Sequence, residues 1–79
     1  MTEAAAPEPD PVEAERERRA GLVHDLRTPL TLVSGFADLL VRRDDLTAEQ
    51  REDFLARIAE AATEMTRLLD ADREERRGG

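Results

Sequence analysis

The residues with the clearest capacity for chemistry lie together in HDLRTPL, residues 24–30, which contains the sole histidine of the chain. A neutral imidazole has one nucleophilic nitrogen when an acceptor holds the proton on the other, and Asp25 is a candidate for that acceptor or for a base. Thr28, one helical turn along, is placed to hydrogen-bond a water or a phosphoryl oxygen over the ring. The alternative is that His24 is an ordinary surface residue with no chemical role, and periodicity alone favours this interpretation.

Composition limits the other functional classes. The 79 residues contain no cysteine, one histidine, two phenylalanines and no other aromatic residue, which excludes disulfides and makes a metal site or a base-stacking platform a poor interpretation. A formal net charge of −7 argues against binding to nucleic acid. No apolar run is long enough for membrane insertion and no signal peptide is present, so the sequence predicts a cytoplasmic protein.

A first helix is predicted over residues 11–43, after a disordered acidic, proline-rich tail over residues 1–10. Asp10 and Pro11 form a typical helix start. Further along, apolar residues recur at alternating spacings of three and four, which predicts a broad contact face; they are Val23, Leu26, Leu30, Val33, Ala37 and Leu40. His24 falls just outside that face, where a partner can reach it. Pro29 predicts a kink beside it.

A second helix is predicted over residues 47–73, opened by a capping box from Thr47 to Gln50. Its contact row is Phe54, Ile58, Ala61, Met65 and Leu68, with Leu55, Ala62 and Leu69 beside it. Residues 73–79 are predicted to be a charged, frayed tail. The short connection between the helices predicts an all-α fold, an antiparallel hairpin over residues 11–72. Two hairpins would bury both wide stripes as a four-helix bundle, so we expect a homodimer.

The motif HDLRTPL resembles the phosphoacceptor motif of sensor histidine kinases, and GFADLL at residues 35–40 resembles the segment that follows it. The resemblance spans roughly residues 13–70. It implies that His24 is phosphorylated on its distal ring nitrogen, that Asp25 orients or deprotonates it, and that Thr28 positions water during dephosphorylation of a partner. Val23, where the family usually has a small polar residue, and the charged end of the second helix depart from the pattern.

No ATP-binding domain follows the hairpin, and no nucleotide-binding box is present. We therefore expect no bound cofactor and no autonomous kinase activity, with ATP and Mg²⁺ acting only through a separate catalytic domain. The expected function is dimerisation and histidine phosphotransfer in two-component signalling. The alternative is a decoy module that binds a receiver or a kinase without accepting phosphate. The initial methionine and the charged end favour a complete chain over a cut piece.

The partners that the resemblance implies are a second copy of the chain, the receiver domain of a response regulator and a separate kinase domain. A receiver's phosphorylation pocket is itself acidic, so an acidic module needs local contacts to it. Arg27 is a candidate for such a contact. Leu32 and Leu39 are apolar candidates below His24, although core packing is the favoured interpretation for both.

Overall fold

The computed structural model describes residues 10–78, which form two long helices. Helix α1 spans Pro11–Arg42 and helix α2 spans Ala48–Gly78, with residues 43–47 connecting them. The helices pack against each other along their length as an antiparallel hairpin, which confirms the predicted all-α fold. The tail predicted over residues 1–10 lies outside the described residues, apart from Asp10.

Helix α1 begins where the sequence predicts. Asp10 is the N-cap, and its Oδ1 accepts a hydrogen bond of 3.0 Å from the backbone N–H of Val12. Pro11 occupies the first turn, where its missing N–H costs nothing. The helix then continues through Pro29 without interruption to Arg42. These caps leave the whole 32-residue helix available to carry the HDLRTPL segment in its middle.

The connection is held by two local networks. The Arg43 guanidinium donates to both carboxylate oxygens of Asp45, at 2.8 and 2.9 Å. The Thr47 backbone N–H donates to Gln50 Oε1 at 2.9 Å, while the Gln50 N–H donates to Thr47 Oγ1 at 3.0 Å. This reciprocal pair confirms the predicted capping box. It fixes the residue at which α2 begins.

The end of α2 differs from the prediction. The sequence places the end of the helix near residue 73, whereas α2 continues to Gly78. Two ion pairs support the extra turns: Arg76 Nε lies 3.1 Å from Asp72 one turn earlier, and Arg76 Nη2 lies 3.6 Å from Glu15 on α1. The charged residues at the end of α2 have no apolar face, and they continue the helix because α1 supplies an ion-pair partner.

The two helices meet along an inner seam of half-buried apolar residues. On α1 the seam is Leu22, Leu26, Pro29, Val33, Phe36 and Leu40, and on α2 it is Phe54, Ile58, Ala61, Met65 and Leu68. The α2 row is the predicted one. On α1 the predicted face is broader than this seam: Leu26, Val33 and Leu40 lie in the seam, whereas Val23 and Leu30 are each 50% exposed in the single hairpin. Pro29 is buried as well.

The register follows from one aromatic contact. The rings of Phe36 and Phe54 lie 5.2 Å apart, at an angle of 41°. In an antiparallel pair, each step back along α1 corresponds to one step forward along α2. Seven steps take Phe36 to Pro29 and Phe54 to Ala61, and these are the two buried residues of the hairpin. The tightest packing therefore lies one to two turns from His24.

Neither helix, over the residues that the structure describes, combines the length and the apolar character needed to cross a membrane.

Candidate functional site

His24 opens onto a shallow groove between the two helices, which we call the histidine groove. Its α1 side is formed by His24, Asp25, Thr28, Pro29, Leu32 and Phe36, and its α2 side by Arg57, Glu60, Ala61, Glu64, Arg67 and Leu68. The three residues with predicted chemical roles therefore share one surface. The buried pair Pro29 and Ala61 forms the floor of the groove, which fixes the backbone under an exposed histidine.

The imidazole of His24 is oriented by its neighbour. Its Nδ1 lies 3.4 Å from Asp25 Oδ1, and its side chain is 86% exposed. A carboxylate acceptor at Nδ1 favours the tautomer that carries its proton there, because the N–H can then donate to the acid. Nε2 is left with a free lone pair. This arrangement makes Nε2 an accessible nucleophile.

The other predicted residues separate into two groups. Thr28 and Leu32 line the histidine groove, and Leu32 is 46% exposed in the single hairpin, where it lies outside the seam. Leu39 is half-buried and is not part of the groove. Arg27 lies on a different surface of α1, beside Val23 and Leu30. Arg27 and Leu39 are therefore not brought to the groove.

Sequence reasoning missed the α2 side of the groove. Four charged residues of α2 line it: Arg57, Glu60, Glu64 and Arg67. Arg67 donates to both oxygens of Glu64, at 2.9 and 2.7 Å. The hydrogen bond from Arg67 lowers the pKa of Glu64, and the same bond raises the pKa of Arg67. The spacing Glu64-x-x-Arg67 signals this pair in the sequence, but only the register shows that it faces His24.

The opposite side of the hairpin is apolar, and we call it the apolar flank: Val23, Leu30, Leu55 and Leu69. These side chains are 49–52% exposed. Each directly follows a seam residue, so each lies about 100° round its helix from the seam. Two antiparallel helices are related by a twofold axis perpendicular to the plane that contains them. Residues that directly follow the seam on α1 therefore lie on the same side of the hairpin as residues that directly follow the seam on α2.

No group of three or more histidine or acidic side chains in residues 10–78 is arranged to hold a metal ion. The groove combines an exposed imidazole with an acid beside it, a hydroxyl one turn away and ionic side chains on the facing helix.

The fold and the site together define a class of protein: a helical hairpin that presents an oriented histidine above a buried proline. Residues 15–74 match the His Kinase A (phospho-acceptor) domain family, and the chain belongs to that family. This confirms the resemblance seen in the motif.

One curated relative is the sensor protein DivL of Caulobacter vibrioides (strain ATCC 19089 / CIP 103742 / CB 15). It is 38% identical to the chain over 61 residues, which is 73% of the chain and 8% of the relative. The chain thus spans less than a tenth of the length of that relative. No solved structure matches the chain significantly.

Proposed function

We propose that this hairpin takes a phosphoryl group on His24 and passes it to the aspartate of a response-regulator receiver. Membership of the His Kinase A family supports a phosphoacceptor and dimerisation role in two-component signalling. The observation that carries the finer proposal is the orientation of the imidazole, with Nδ1 towards Asp25 and Nε2 free. The side chain is exposed enough for a large donor to reach it.

The transfer step uses only these groups and the donor. The Nε2 lone pair forms a bond to phosphorus while the P–O bond to the donor's leaving oxygen breaks, and the leaving group departs as a carboxylate or as a nucleotide. The Nδ1 proton stays on the ring, where the Asp25 carboxylate offsets the positive charge that develops. The reverse step delivers the phosphoryl group to a receiver aspartate. Thr28 is placed one turn away to position a water when that aspartyl phosphate is hydrolysed.

The histidine groove is the proposed docking site for the receiver. Its apolar part is formed by Leu32 and Phe36, and ionic side chains line both edges. Transient partners commonly bind through such mixed surfaces. Arg27 lies on the surface of α1 beside Val23 and Leu30, so contact with it requires a partner that reaches around α1. Leu39 is outside the lining of the groove.

Dimerisation is proposed to use the apolar flank. The four half-exposed side chains of the flank lie on one side of the hairpin, away from His24. A homodimer formed there would make the four-helix bundle and would leave both histidine grooves open. We propose a cytoplasmic location for this assembly, with the phosphoryl group supplied by a separate kinase domain, which binds ATP and Mg²⁺, or by a phosphorylated receiver.

The test is phosphotransfer to the wild-type chain and to His24→Gln. Incubation with a phosphorylated receiver or a cognate kinase is expected to give an acid-labile label on the wild-type chain and none on the variant. Absence of label on the wild type, or label that survives His24→Gln, contradicts the proposal. Circular dichroism of both chains serves as the folding control, because an exposed residue should not alter helicity.

The same experiment addresses the decoy alternative. A receiver that binds the unlabelled hairpin equally well before and after His24→Ala and Asp25→Ala would favour a module that binds without phosphotransfer. Our proposal instead expects label on His24 and weaker receiver binding when the groove is altered at Leu32→Asp.

A further inference from the structure

We propose that Arg67 binds the phosphoryl group carried by His24, exchanging its ion pair with Glu64 for the phosphoryl oxygens. This inference rests on the proposed function in one respect only, that His24 accepts a phosphoryl group. Arg67 then acts as a phosphoryl-binding residue supplied by α2, whereas the HDLRTPL motif lies wholly on α1.

The register places Arg67 beside His24. Twelve steps back from Phe36 reach His24, and twelve steps forward from its contact Phe54 reach Thr66, the residue before Arg67. His24 and Arg67 are thus at the same level on facing helices, and both line the histidine groove. An arginine side chain is long and flexible, so its guanidinium can occupy different positions across the groove at this level.

Among the charged side chains that line the groove, Arg67 is the cation at the level of His24. The ionic side chains lining the groove are Asp25 on α1, with Arg57, Glu60, Glu64 and Arg67 on α2. Arg57 is three steps beyond Phe54, so it lies level with Val33, well over two turns from His24. A phosphoryl group on Nε2 adds about two negative charges beside Asp25. Arg67 is the groove cation close enough to offset them.

Glu64 holds Arg67 in a geometry that suits this exchange. The two hydrogen bonds of 2.9 and 2.7 Å come from Nε and Nη2, on one edge of the guanidinium, and the same edge matches two phosphoryl oxygens. The pair is exposed, with 62% of the Arg67 side chain accessible, so it contributes little stability and is easily broken. A guanidinium stays protonated with either partner, so Arg67 remains a cation throughout the exchange.

The test loads the full chain with phosphoramidate, a small donor that needs no protein partner. Nε2 forms the new N–P bond as the donor's own P–N bond breaks, and ammonia leaves. The pH titration of the ³¹P resonance then reports the second protonation of the phosphoryl group. Arg67→Gln is expected to raise its midpoint by roughly 0.2–0.7 pH units, as expected for an exposed ion pair, because a bound cation favours the dianion.

Matched variants isolate the effect of Arg67. Arg57→Gln removes the other arginine of the groove and is expected to leave the midpoint within roughly 0.1 pH units of wild type, because exposed charges interact weakly over more than two turns. Arg67→Lys is expected to restore part of the downward shift. Glu64→Gln is expected to lower the midpoint further, because it frees Arg67 and removes a nearby negative charge. Circular dichroism checks that every variant is folded.

The outcomes separate this inference from the proposed function. An unchanged midpoint in a folded, labelled Arg67→Gln chain overturns the inference and leaves His24 as the acceptor. A shift of the titration midpoint in Arg27→Gln, with no shift in Arg67→Gln, also overturns the inference. Such a result would place the phosphoryl group towards Arg27 and away from α2. Failure of the wild-type chain to form any N–P bond overturns both.

Discussion

The two sides of the hairpin are built by the same two helices but differ in chemistry. The histidine groove is lined by three acidic side chains and two arginines around a floor of Pro29 and Ala61. The apolar flank carries half-exposed valine and leucine side chains, and the surface of α1 beside it is mainly apolar. Each flank residue directly follows a seam residue in the sequence. A rotation of the helix by about 100° therefore decides whether a residue lies in the seam or on the flank.

This difference indicates two kinds of binding. Apolar side chains gain free energy when they leave water, which suits a stable interface between copies of the chain. Ionic side chains are costly to desolvate but give orientation and specificity, which suits a transient partner that must leave after transfer. In the proposed function the hairpin serves both purposes, because His24 lies on one side of α1 and Leu30 towards the other.

The largest effect is expected from a charge placed on the apolar flank. Leu30→Asp should dissociate the dimer, since burial of one leucine contributes roughly 1.5–3 kcal/mol and the substitution occurs twice in a symmetric assembly. The dimerisation constant should weaken by at least about a hundredfold, measured by sedimentation equilibrium with circular dichroism to follow folding.

Leu32→Asp is the matched control, because Leu32 is similarly exposed but lies in the histidine groove. It should remain a dimer. Dissociation of Leu32→Asp with an intact Leu30→Asp dimer would show that the two sides have been assigned the wrong way round.

A moderate effect is expected from filling the floor that separates the two sides. Ala61 is 5% exposed and faces Pro29, so Ala61→Leu should overpack the hairpin and destabilise it by about 1–3 kcal/mol in urea unfolding at fixed protomer concentration. The matched control is Ala56→Leu, the same substitution at an exposed position of α2 on the face away from the seam. Equal stability of both variants would contradict the tight packing at this level.

The smallest effect concerns the connection at the end of the hairpin. The hydrogen bond from Arg43 lowers the pKa of Asp45, with a further contribution from a backbone hydrogen bond. A lowered folded-state pKa means that the pair stabilises the hairpin above the unfolded pKa of about 3.9 and that this contribution is lost as the pH falls through the folded pKa.

Asp45→Asn should therefore lower the melting temperature slightly at pH 7, and the difference should vanish at low pH. Asp44→Asn is the control, because within the described residues Asp44 takes part in no ion pair. A difference that persisted in acid would show that the Arg43 pair is not its cause.

Much of the fold could be predicted from local signals. The caps at Asp10 and Thr47 and the α2 seam depend on residues close in sequence, and the structure confirms them. The end of α2 could not be predicted, because the Arg76–Glu15 pair joins residues that lie near opposite ends of the sequence. The sequence alone does not show which residue of the facing helix forms an ion pair with this charged segment.

The candidate site could be predicted on one helix only. His24, Asp25 and Thr28 follow from a motif contained within two turns of α1, and the structure brings them to one groove. Leu32 and Arg67 depend on how the helices are rotated and aligned. The periodicity of α1 is broad enough to permit several rotations, and one is selected by packing against α2, as in the Phe36–Phe54 contact.

The central claim is that His24 accepts the phosphoryl group at Nε2 because Asp25 holds the proton at Nδ1. Heteronuclear NMR of the uniformly ¹⁵N-labelled hairpin, after transfer from a phosphorylated receiver, tests it most directly. We expect a phosphorus–nitrogen coupling to Nε2 of His24 and a proton retained on Nδ1. Phosphorus bonded to Nδ1, or found on a carboxylate instead of the imidazole, would contradict it.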